Sequence, residues 1–126
     1  RFTYRQYGLE KVLDLGEWWE QESGYPIPLG GILAKRALGT KLIQQIDIAL
    51  RESIKYAYTH PHEPQTYIKQ HAQELDDDVI RNHIELYVND FSLDLGDEGI
   101  QAVTCLLNRA GERGIIPACE LPLFAE

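Results

Sequence analysis

A chain of 126 residues with 44% apolar and 25% charged side chains has the make-up of one globular domain with its own core, since domains cluster at roughly 100–150 residues. Twelve basic residues against twenty acidic ones leave a formal net charge of -8, a surface that repels phosphate backbones and excludes nucleic acid as a partner. The longest uncharged apolar-rich stretch, Tyr25 to Ala34, falls far short of the ~20 residues of a spanning helix, so no membrane span is predicted.

Arg1 to Gly24 reads as an extended lead-in, a short strand around Lys11–Leu13, and a helix. Asp14 followed by Glu17 fits the logic of a capping box. Leu15, Trp18, Trp19 and Glu22 then recur at helical spacing, and Gly24 supplies a left-handed stop. One tryptophan is expected in the core and the other at its edge.

Tyr25 to Lys35 reads YPIPLGGILAK. Pro26 and Pro28 exclude a helix, and Leu29 to Ala34 has the length and apolar continuity of a strand buried on both faces. Glycine inside a strand often marks the close approach of a ligand or of another backbone. Gly30 and Gly31 therefore mark either a ligand-facing stretch or a bulge or tight crossing with no ligand.

From Gly39 the period becomes 3.6. Thr40 can cap a helix with Leu42, Ile43, Ile46, Ala49, Leu50, Ile54, Ala57 and Tyr58 as its apolar stripe, ending near His60–Pro61. A shorter helix over Glu63–Gln73 tolerates Pro64 in its first turn. A third starts at Asp76, Asp77 and Asp78, whose charges suit a helix amino end, and is expected to carry Ile80, His83, Ile84 and Tyr87 inward. A fourth spans about Asp97–Gly111 with Ile100, Val103, Leu106, Leu107 and Ala110 on one face. The tail after Gly114, with Pro117 and Pro122, is expected to be loosely packed.

This layout is lopsided, because a buried strand cannot satisfy its own backbone groups and needs a sheet. The missing strands are expected from an amino-terminal part outside the chain, or from a second copy in a homodimer that exchanges elements. The chain opens on Arg1, holds no methionine and starts mid-pattern with RFTYRQYG, which is the expectation for an internal piece of a longer protein. Cys105 and Cys119 form neither a zinc knuckle nor a disulfide framework. Both are expected to be free thiols, with the cytoplasm as the expected location.

No nucleophile elbow, phosphate-binding loop or dinucleotide fingerprint occurs. His60, His62 and Glu63 are competent metal ligands, yet a helix end, a proline break and a new helix start explain the same residues, and no metal is expected. His71 and His83 lack partner spacing. The acidic runs Asp76–Asp78 and Asp94, Asp97, Glu98 lack the calcium-loop spacing and are accounted for by helix capping. No self-sufficient catalytic set is present.

RFTYRQYGL, DLGEWWEQESGYPIPLGGI, the long helix after it and YVNDFSLDLGDEG together resemble the carboxy-terminal portion of the 1,4-dihydroxy-6-naphthoate synthase family. Its members are the cyclic dehypoxanthine-futalosine lyases of the futalosine route to menaquinone. The resemblance runs from Arg1 to about Pro117. It implies an α/β, two-lobed fold similar to periplasmic binding proteins, of which this chain is a mostly helical part. Residues 1–28 would end the second lobe, and residues 29–126 would supply the return strand and carboxy-terminal helices of the first. It further implies a cleft that holds a cyclic futalosine derivative, and carbon–carbon lyase chemistry without a metal or redox cofactor. The catalytic base would be a histidine in a His-Glu-Gly stretch just ahead of Arg1, so no catalytic residue lies in this chain and the chain alone is expected to be inactive. Thr3 and Tyr4 would orient that histidine, and Gly30 and Gly31 would sit beside the cleft.

Two other readings fit the residues. One is a non-catalytic protein of the same fold that binds a small carboxylate. The other is a helical interaction module built from the segments after Gly39, for which the apolar run at Leu29–Ala34 has no use.

Overall fold

The computed structural model describes residues 4–72, 76–117 and 120–124. Among them the chain forms α1 (Leu15–Ser23), α2 (Thr40–Thr59), α3 (Gln65–His71), α4 (Asp77–Tyr87), α5 (Asp90–Leu93) and α6 (Gly96–Glu112), with 3-10 turns at Tyr4–Tyr7 and Arg36–Leu38. Local chemistry sets the ends of these helices. The Asp14 carboxylate accepts from the amides of Gly16 at 2.9 Å and Glu17 at 3.3 Å. Asp76 does the same for Asp78 at 3.0 Å and Val79 at 3.1 Å. Each satisfies first-turn donors that the helix leaves open. Gly24 ends α1 at φ 75° with its amide on the Glu20 carbonyl at 2.9 Å, a backbone conformation that a side chain disfavours.

The chain divides into two compact units, Arg1–Val12 with Ile48–Asp94 and Leu13–Asp47 with Leu95–Glu126. In the first unit Leu50, Ile54 and Ala57 of α2 and Val79, Ile80, Ile84 and Leu86 of α4 are half-buried. The Tyr58 hydroxyl donates to the Val88 carbonyl at 2.7 Å, and Lys69 pairs with Asp77 at 2.7 Å. Both members of that ion pair are exposed, so it contributes little.

The second unit holds the two buried hydrophobic residues found among the described ones, Trp19 of α1 at 8% exposure and Ala102 of α6 at 2%. Gly99, one turn before Ala102, is buried as well, and two such small residues let helices approach closely. Arg109 of α6 lays its guanidinium 5.2 Å from the Trp19 ring centroid and donates to the Glu22 carbonyl at 3.2 Å. Trp18 stays 45% exposed, so the tryptophans divide between core and edge as the spacing predicts. In the tail, the Arg36 guanidinium donates to the Pro122 carbonyl.

The mostly helical character expected of the chain holds, but several sequence expectations need correction. Neither Lys11–Leu13 nor Leu29–Ala34 forms a strand, and no strand occurs among the described residues. Leu29–Ala34 carries no regular secondary structure, with Ile32 75% and Leu33 93% exposed. A strand exists only through its ladder, and no described segment offers one. On α4, His83 and Tyr87 do not face inward. They are exposed and stack on each other, ring centroids 5.0 Å apart at 16°, while Val79 and Leu86 join Ile80 and Ile84 on the half-buried side. The helix expected over Glu63–Gln73 is the shorter α3, with Pro64 immediately before its first turn, and Gln73 lies outside the described residues. Cys105 is free and half-buried; Cys119 lies outside the described residues.

Candidate functional site

Of the residues expected at a substrate cleft, Thr3 lies outside the described ones. Tyr4 is the first residue of the opening 3-10 turn and is half-buried. Its carbonyl accepts from the Leu9 amide at 3.1 Å, and its hydroxyl accepts from Arg5 Nε at 3.3 Å. The chain doubles back here, and Tyr4, Arg5, Gly8, Leu9, Glu10 and Lys11 line a shallow hollow that is wide open to solvent. Tyr4 thus stands in a turn whose backbone is pinned at both ends.

Gly30 and Gly31 belong to the second unit and follow the half-buried run Tyr25–Pro28. Both are exposed, and a methyl group built on either would meet no atom within 4 Å. Their amides and carbonyls have no hydrogen-bond partner among the described residues. The pair is therefore open backbone with its polar groups free.

The histidines do not converge on a metal. Among the described residues no group of three or more His, Cys, Asp or Glu side chains is gathered to hold an ion. His60 closes α2 instead: its Nδ1 lies 2.9 Å from Thr59 Oγ1 and 3.1 Å from the Tyr56 carbonyl, and its ring stacks on Tyr56 at 4.0 Å. Glu63 accepts the Tyr56 hydroxyl on both carboxylate oxygens, each at 3.1 Å. HPHEP thus serves as a helix-ending corner, with Glu63 folded back on the helix it follows. Sequence reading missed the Tyr56 partner because it lies seven residues back across a proline break.

The hydrogen bond to Glu63, with lesser contributions from desolvation and the Glu63 charge, holds the Tyr56 phenol above its ordinary value of 10.0. A folded-state value above the unfolded one means that the contact stabilises at neutral pH and is lost as alkali rises through the folded value. In an ultraviolet difference titration one tyrosine should ionise at higher pH than an unperturbed phenol, and Tyr56→Phe should remove that step. An unchanged titration in the variant would place the perturbed phenol elsewhere.

Comparison with known proteins defines the class to which these elements belong. A family model described as menaquinone biosynthesis matches residues 1–112, and the chain belongs to that family. Two relatives carry the name 1,4-dihydroxy-6-naphtoate synthase. The one from Thermus thermophilus is 52% identical over 124 residues, covering 98% of this chain and 46% of the relative. The one from Streptomyces coelicolor is 47% identical over 118 residues, covering 94% of this chain and 42% of the relative. The chain thus spans less than half the length of the curated relatives it matches.

Proposed function

We propose that this chain is part of a lyase that converts cyclic dehypoxanthine futalosine into 1,4-dihydroxy-6-naphthoate in menaquinone biosynthesis. The observation that carries the reading is the match of residues 1–112 to the menaquinone-biosynthesis family, joined to 52% and 47% identity with proteins named as the naphthoate synthase. In this reading the whole enzyme is cytoplasmic and has two lobes with the substrate between them. Residues 1–28 end the second lobe, and residues 29–126 supply the return of the chain and the helices of the first.

The chemistry proposed is carbon–carbon bond cleavage assisted by proton transfer, with a histidine outside this chain as the base and no metal or redox cofactor. General-base assistance contributes about 10²–10⁴-fold, and closing lobes add positioning. Thr3 and Tyr4 would hold the histidine's orientation, a role that suits a tyrosine fixed in a pinned turn. The alternative of a non-catalytic carboxylate binder is not favoured by relatives named as synthases. Among the described residues no helix is long and apolar enough to cross a membrane.

The test is to incubate a polypeptide of the relatives' full length, carrying this chain, with cyclic dehypoxanthine futalosine and to follow naphthoate by mass spectrometry. Product is expected. Binding of the substrate without any product would instead support the carboxylate binder.

A further inference from the structure

No further inference is drawn: the strongest candidate, the exposed side-chain cluster of Tyr56, His60 and Glu63 at the end of α2, belongs to the helix-closing corner already described, and nothing among the described residues points to a ligand there.

Discussion

The 126-residue chain supplied alone should give no detectable naphthoate from cyclic dehypoxanthine futalosine, and the portion of the relatives outside the match should restore product when added. On the function proposed above, two losses add up in the isolated chain. The first is the base, worth about 10²–10⁴-fold: its histidines are a helix-closing residue at His60, a turn residue at His62, and exposed helix residues at His71 and His83. The second is positioning, for which effective molarities reach about 10⁵–10⁸ M when reacting groups are held in place. In the proposed two-lobed reading the cleft needs both lobes, and this chain spans less than half the length of the relatives it matches. Product formation by the pure chain above a buffer blank would show that one of its own histidines acts as base, and the proposed division of labour would fall.

What was legible in the sequence was what local chemistry decides. Asp14 and Asp76 announce helix starts because a carboxylate three residues ahead of open amides has few better partners. The 3.6 period of Ile43, Ile46, Leu50 and Ile54 declares α2 without reference to any neighbour. The short α5 was equally readable and was passed over: Asn89 accepts from the Phe91 amide while Ser92 Oγ accepts from the Asn89 amide, and an Asn with a hydroxyl three residues on is a capping signature. Leu29–Ala34 was misread for a different reason. An apolar run says that a segment wants burial, but the partner strand that turns it into β structure is a non-local fact, and no described residue supplies one. The inward turn expected of His83 and Tyr87 failed similarly. Period alone placed them beside Ile80 and Ile84, and the two rings instead cover each other at the exposed side of α4. At the candidate site the bareness of Gly30–Gly31 was readable, while the absence of any internal need for it came only from the surrounding space.

Trp19→Ala should cost the second unit about 3–5 kcal/mol, the range for emptying a buried tryptophan site, while Trp18→Ala should cost far less. The difference follows from exposure, 8% against 45%, and from the length of the helix. At nine residues, α1 is below the roughly 12–15 at which an isolated helix is even marginal in water. Its capping by Asp14 and Gly24 sets where it starts and stops but does not hold it together. Packing must do that, and Trp19 is the one large side chain of α1 that is buried, beneath the Arg109 guanidinium and in the same unit as the small residues Gly99 and Ala102 of α6. Removing the indole leaves Arg109 without a ring to cover and α1 without a buried anchor. Urea unfolding followed by circular dichroism should show an earlier midpoint and lost helical signal in Trp19→Ala. Trp19→Phe should recover most of the loss, because the indole N–H has no acceptor among the described residues and a phenyl ring gives up no hydrogen bond. Equal effects of the two alanine variants would mean that α1 is held by something other than Trp19.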